Sequence, residues 1–163
     1  MSAAPPVVRF VPFDERDFAE WLAQAIPAYA LAHVEDGTWT LADSILCSQQ
    51  AHEALLPQGL ATPGHAFMHL HLEGEPEPAG LLWWAETESA GERGVYVYGL
   101  VVAEDARRRG VARAALAELE RRGRSRGLRF MALHVFGHNL AARRLYEEMG
   151  FEPTNINMRK KLR

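Results

Sequence analysis

Arg107-Arg108-Arg109-Gly110-Val111-Ala112 sets three guanidinium groups against a glycine, just where an apolar helical run begins. A helix start leaves backbone N–H groups without partners and carries partial positive charge. A glycine there lets an anion approach the peptide nitrogens closely, and the small Ala112 keeps the next turn open. The chemistry this pattern can do is to hold a pyrophosphate on the amides of Arg108 to Arg113. It is neither a G-x-x-x-x-G-K-[ST] loop nor the G-x-G-x-x-G dinucleotide fingerprint. Alone, R-x-x-G-x-A serves equally well as an arginine-rich turn before a helix. A second group lies downstream in HVFGHNLAARRLYEEMGF, His134 to Phe151. There Asn139 can cap a short helix, on which Tyr146 falls with Leu145 and Met149 along the apolar stripe.

Elements must exist to hold these groups. VYVYGLVV, Val95 to Val102, reads as a strand buried on both faces and leads straight into the arginine turn. The run after Gly110 carries an apolar stripe of Val111, Ala112, Ala115, Leu116 and Leu119, and Gly127 stops it. RFMALHVF, Arg129 to Phe136, is a further strand, and Asn139 to Met149 a short helix ended by Gly150. The strand–helix–strand unit from Val95 to Phe136 predicts two parallel neighbours.

Upstream, Val7 to Phe13 reads as a strand. A helix capped by Asp14 follows to about Ala32, with a kink or break expected at Pro27. A second helix spans Thr40 to Leu56, and a loop runs to Gly64. Ala66 to Leu72 and Leu81 to Glu86 alternate as strands. Trp83 and Trp84 should send one indole to each face. FEPTNINMRKKL is expected to end the chain as an extended strand or hairpin arm. The class is α+β: a single domain over 1–163 with a central mixed, mostly antiparallel sheet flanked by helices.

Composition bounds the function. The chain has 163 residues, 48% of them hydrophobic, enough for one core. Its net charge of −3 argues against a general nucleic-acid binder. Yet nine of its 18 basic residues lie between Arg107 and Arg129, which fits an anionic ligand in the second half. No apolar run reaches the ~20 residues a bilayer crossing needs, so no membrane partner is expected. MSAAPPVVRF lacks the basic start and apolar block of a signal peptide. Cys47 is the sole cysteine, so no internal disulfide can form, and a reducing, cytoplasmic setting is expected. His69 and His71 share a strand face without the cysteine pairs or H-E-x-x-H spacing of a zinc site, and no metal is expected.

LVVAEDARRRGVARAAL resembles the acetyl-CoA-binding segment of the GNAT superfamily of N-acetyltransferases, whose pattern is a strand, a turn and [Q/R]-x-x-G-x-[G/A]. Arg107, Gly110 and Ala112 fill it. The downstream run resembles that family's N-x-x-A-x-x-L-Y-x-x-x-G-F block through Asn139, Ala142, Leu145, Tyr146, Gly150 and Phe151. The resemblance implies acetyl-CoA as co-substrate and transfer of its acetyl group to a primary amine, of a small molecule or a peptide, by direct attack in a ternary complex. It implies that backbone groups of Leu100, Val101 and Val102 pair with the pantetheine arm, Gly99 easing a bulge. It places the pyrophosphate against Arg107, Arg108, Arg109, Gly110, Val111, Ala112 and Arg113, with Asn139 and Ala142 along the arm. Tyr146 is the implied general acid for the leaving thiolate. Relatives carry a carboxylate near the places of Tyr98 and Gly99; this chain has none. The amine's proton is left to Tyr96, Tyr98, Glu86 or His134, through water. Family members commonly pair, so a homodimer is possible. Two other readings stand beside this one: an acyl-CoA-binding sensor without catalysis, and an arginine cluster that contacts nucleic acid, the latter predicting affinity that falls steeply with salt.

Overall fold

The computed structural model describes residues 5–162; Met1 to Ala4 of the N-terminal stretch, and Arg163, lie outside the described residues. Strand β1 (Val8–Pro12) leads to helix α1 (Glu15–Glu35) and helix α2 (Ser44–Leu55). Strands β2 (His65–Leu72), β3 (Gly80–Ser89) and β4 (Glu92–Val102) follow, then helix α3 (Val111–Ser125), strand β5 (Phe130–Leu133) and helix α4 (Leu140–Glu148). The strands lie in the order β1-β2-β3-β4-β5, antiparallel except for the parallel β4–β5 pair. The class is the α+β one expected: a five-strand mixed sheet flanked by four helices.

The period of two in the strands sends side chains to two chemically different faces. On one, Phe10, Leu70, Leu82, Val95 and Val97 meet Val111, Ala115, Leu116 and Leu119 of α3, with Leu145, Tyr146 and Met149 of α4 packed alongside. Each such fully buried aliphatic side chain contributes about 1.5–3 kcal/mol. On the other, Phe13, Phe18, Phe67 and Trp83 meet Trp21 and Leu22 of α1. Trp84 packs on Phe10 with ring centroids 5.7 Å apart, so the paired indoles do divide between the faces.

Local chemistry explains the helix starts. Asp14 accepts the Asp17 N–H at 2.8 Å, while the Asp17 carboxylate accepts the Asp14 N–H at 3.0 Å, a reciprocal cap for α1. Pro27 does not break α1, which runs on to Glu35. Proline removes the main-chain bond to the Ala23 carbonyl, one turn back; alongside, the Ser48 hydroxyl of α2 donates to the Ile26 carbonyl at 2.7 Å.

Three expectations are corrected. The segment after α4 forms no strand as far as Leu162. Arg159 donates to the Gly37 carbonyl, which draws the segment toward the end of α1 instead of along β5. Strand β5 stops at Leu133, three residues before Phe136. Finally, β4 is not buried on both faces along its length. Val95 and Val97 are buried, but Tyr98 is 37% exposed and Val101 53%.

Candidate active site

That exposed half of β4 marks the site. Strand β4 pairs with β5 only from Gly94 opposite Phe130 to Val97 opposite Leu133. Beyond Val97 it continues to Val102 with β3 as its sole partner. The register with β3 slips between Trp83 and Trp84, which face Gly99 and Val97, so Tyr98 is the extra residue of a bulge. The bulge bends β4 away from β5 and opens a gap between two parallel strands.

Main-chain groups line that gap. Ala103 donates to the Ala79 carbonyl at 2.8 Å. Antiparallel ladders alternate, so Ala103, Val101 and Gly99 turn their N–H toward β3, while Val102 and Leu100 turn theirs into the gap. Of the three strand positions singled out in the sequence, two therefore present polar main chain to the opening, and Val101 presents its side chain to solvent. The Val102 carbonyl accepts a long bond, 3.4 Å, from the Arg107 Nε.

The arginine turn follows at once. Gly110 adopts φ +81 and ψ 9, the left-handed region, and no side chain caps the helix it opens. The first amides of α3, at Val111, Ala112 and Arg113, are thus free of side-chain acceptors. The glycine is required by backbone angle more than by crowding: a Cβ there would lie 3.4 Å from the Cδ of Pro6. Arg108 also has positive φ, at 62, which costs a non-glycine residue about 1–2 kcal/mol. The arginines diverge. Arg107 turns back to Val102, Arg109 pairs with Glu75, and Arg113 pairs with Glu148 of α4. Arg108 makes no ion pair among the described residues. An uncapped helix start and a free strand edge side by side suit a ligand with a diphosphate and an amide-bearing arm, and these residues fit that group.

Helix α4 supplies the rest of the downstream motif. The Asn139 Oδ1 accepts the Ala142 N–H at 3.2 Å and caps the helix. Tyr146 is half-buried, its ring edge-on to Phe151 at 5.6 Å, and burial pushes its phenol above the usual tyrosine range. Tyr146 also lines a cavity of about 1480 Å³ along the free edge of β5, beneath the C-terminal segment. The motif residues of β4 and the arginine turn do not line it. The cavity follows from the C-terminal segment lying off the sheet, and the strand gap and the helix start lie outside it.

The two sides of the gap differ. Val95 and Val97 belong to the α3 face, while Tyr96 and Tyr98 face α1 in a string of rings. Trp83 stacks on Tyr98 at 4.8 Å, and Tyr98 meets Tyr96 at 4.6 Å. Across the gap, His134 meets Phe136 at 5.0 Å, Phe136 meets His33 at 5.1 Å, and His33 meets Tyr29 at 4.5 Å. Burial, then Tyr98 and Tyr29, raise the Tyr96 phenol. Glu86 stands away from this site, ion-paired with Arg93 at 2.8 Å and Arg126 at 2.5 Å near the other end of β4. The ring cluster of Tyr29, His33, Trp39 and Phe136 leaves almost no mark in the sequence. Tyr29 and His33 sit one helical turn apart, the only local signal; Phe136 comes from a distant segment.

The family model for GNAT acetyltransferases matches residues 16–151. This chain belongs to the GNAT family. It is 37% identical over 155 residues to YycN of Bacillus subtilis (strain 168), described as an uncharacterized N-acetyltransferase, across 95% of this chain and 99% of that one. A second relative from that strain, YdgE, described likewise, is 33% identical over 148 residues, 91% of this chain and 94% of its own. The crystal structure of YycN superposes with a TM-score of 0.89, covering 96% of this GNAT chain and 99% of that one at 36% identity. A protein of Pyrococcus furiosus, described as a putative acetyl transferase, shares the fold alone, at 21% identity and a TM-score of 0.66, with coverage of 95% and 99%. The activity class of this GNAT protein is accordingly acyl transfer.

Proposed function

We propose that this protein moves the acetyl group of acetyl-CoA to a primary amine, by direct attack while both substrates are bound. The observation that carries this reading is the opening between β4 and β5 beyond Val97, set against the uncapped start of α3. When bound, acetyl-CoA supplies the activated acyl group. The amides after Gly110 hold its diphosphate, and the Leu100 and Val102 main chain holds its arm. A main-chain N–H of that strand aimed at the developing oxyanion contributes about 3–4 kcal/mol to the barrier reduction. Tyr146, its phenol neutral through the physiological range, gives a proton to the departing sulfur.

The acceptor approaches from the α1 face, where Tyr96 and Tyr98 border the gap. Ion pairing of Arg109 and Arg113, with the chain's net charge of −3, supports a small-molecule or peptide amine over nucleic acid. The exposed Ile156 and Met158, at 71% and 92%, support a second copy of the chain covering the C-terminal segment; a dimer by light scattering is the expected result. No helix among the described residues is long and apolar enough to cross a membrane.

The test is a thiol-release assay over a panel of amines, paired with calorimetric titration of CoA. Release of CoA thiol with at least one amine supports transfer. Binding without release for every amine favours a sensor, the reading that the missing strand carboxylate would suit. Affinity for oligonucleotides instead of CoA would overturn both.

A further inference from the structure

His33 carries the one buried side-chain N or O atom among the described residues that lacks a hydrogen-bond partner, its Nε2. The other ring nitrogen explains why that atom holds a lone pair. The Nδ1 lies 2.7 Å from the Thr38 hydroxyl oxygen. That hydroxyl has one proton, and the Asp36 carboxylate oxygen, at 2.5 Å, accepts it. Asp36 is held below the usual carboxylate range despite its own partial burial, chiefly through the Thr38 hydroxyl and N–H, with His33 and Arg159 adding to the effect. Nδ1 must then carry a proton and donate it to Thr38. The neutral imidazole therefore keeps its lone pair on Nε2.

The ring's place is as specific as its tautomer. Trp39 stacks on its face at 4.0 Å, Tyr29 meets it edge-on at 4.5 Å, and Phe136 does so at 5.1 Å. Phe136 lies three residues past Leu133, where β5 parts from β4. We propose that this aromatic box receives the ammonium group of the acceptor and that His33 Nε2 takes its proton, the role for which β4 offers no carboxylate. The inference rests on the acetyl-transfer reading above. Ring faces of Tyr29, Trp39 and Phe136 attract a cation without a free carboxylate. The carboxylates nearby are engaged: Asp36 by Thr38, and Glu35 by His138 at 3.3 Å.

The step balances. One N–H bond of the ammonium breaks and its proton moves to Nε2, giving an imidazolium that Asp36 stabilises through Thr38. The freed nitrogen pair forms the new bond to the acyl carbon as the carbon–sulfur bond breaks, the sulfur takes the Tyr146 proton, and the nitrogen's second proton passes through water to the Tyr146 phenolate, leaving a neutral amide and a restored phenol. The imidazolium then returns its proton to water. Tyr29, 37% exposed, and Phe136 stand against the ring edge, and a rotamer change in either is the smallest movement that admits the amine. Desolvation lowers the His33 basicity first; Asp36 raises it and His134 lowers it. The titratable and charged groups facing it are Tyr29, Glu35 and Asp36 from α1 and its end, His52 of α2 behind Tyr29, His134 and His138 after β5, and Arg159 from the C-terminal segment.

Two measurements decide it. Long-range proton–nitrogen NMR reads the His33 tautomer on the protein alone, and adding phenethylamine or 1,5-diaminopentane without acetyl-CoA reads contact. The expected result is Nδ1–H, with His33 signals moving for at least one amine. An Nε2–H tautomer, or no movement with either, overturns the proposal even if acetyl transfer is real. In steady-state assays His33→Asn keeps a donor for Thr38 but no base. It should lower kcat/KM for the amine about 100-fold at pH 7 and less than about 3-fold at pH 10.5, where about half of a ~10.4 amine is neutral unaided. Its acetyl-CoA KM should stay within about twofold. A loss equal at both pH values assigns His33 a structural role and overturns the proposal. Thr38→Val, which leaves the imidazole in place, should mix the tautomers in the same spectra; an unchanged tautomer would overturn the relay. Should acetyl-CoA fail to bind at all, the transfer reading falls, and the NMR arm still decides the amine site.

Discussion

Replacing Gly110 by Asp and, separately, by Asn isolates the charge felt by the cofactor's diphosphate. The residue sits at φ +81, a region that Asn and Asp enter more readily than other side chains. The new Cβ would meet the Pro6 Cδ at 3.4 Å in both variants. Their shared conformational cost is about 1–2 kcal/mol, which lowers the melting temperature of a chain this size by roughly 2–8 °C. The two differ only in charge. A carboxylate about 5 Å from each of two phosphate charges, at an effective dielectric constant of about 40, is repelled by about 1.7 kcal/mol per phosphate charge. The sum, roughly 3.4 kcal/mol, is a factor of about 300 in Kd. Calorimetric titration of CoA at low salt should show Gly110→Asp binding a few hundredfold more weakly than Gly110→Asn, while their melting temperatures agree within a few degrees. The gap should narrow in strong salt, because exposed charges are screened. Equal CoA affinity in the two variants would show that no phosphate sits at this helix start.

Three further outcomes follow from the same structure. Tyr146→Phe should lower kcat about 100-fold while leaving KM for acetyl-CoA within about twofold, since only the proton donor is lost; wild-type turnover would reject the acid role. Glu118 is held down to about 2 by Arg121, foremost, and Arg122. A depressed carboxylate stabilises above its unfolded value near 4.3 and loses that contribution as pH falls toward 2. Because the Arg121 partner is largely exposed, Glu118→Gln should cost only about 1 kcal/mol in urea unfolding at pH 7 and nothing measurable at pH 2; an equal loss at both would refute the pairing. Gly80→Ala sets a Cβ 2.3 Å from the Val101 carbonyl oxygen, a backbone atom that cannot step aside. It should destabilise by about 2 kcal/mol and also weaken CoA binding, because it displaces the end of β4; a stable variant with unchanged affinity would separate that strand from the site.

Residues with strong local signatures are legible in the sequence alone. The stripe from Val111 to Leu119, the Asn139 cap and the change from period two to helical period place α3, α4 and most strands within a few residues. Gly99 foreshadows the bulge, though its extra residue is Tyr98. What stays hidden depends on contacts far apart in the chain. Arg159 reaching Gly37 pulls the C-terminal segment off the sheet, and nothing in TNINMRKKL announces that pairing. Pro27 reads as a helix breaker, yet α1 runs on to Glu35, and the sequence does not show that Ser48 of another helix bonds the neighbouring Ile26 carbonyl. The aromatic box at His33 needs Phe136 from beyond β5, brought there by the parting of the two parallel strands. Directions of the arginines are equally invisible, because Glu75 and Glu148 choose them.

A crystal structure of the protein soaked with acetyl-CoA tests the central claim most directly. The account predicts density for the diphosphate on the amides just after Gly110, with the pantetheine arm between β4 and β5 and the sulfur near the Tyr146 hydroxyl. Density confined to the trough at the free edge of β5, or strands β4 and β5 closed on each other with the ligand elsewhere, would contradict it.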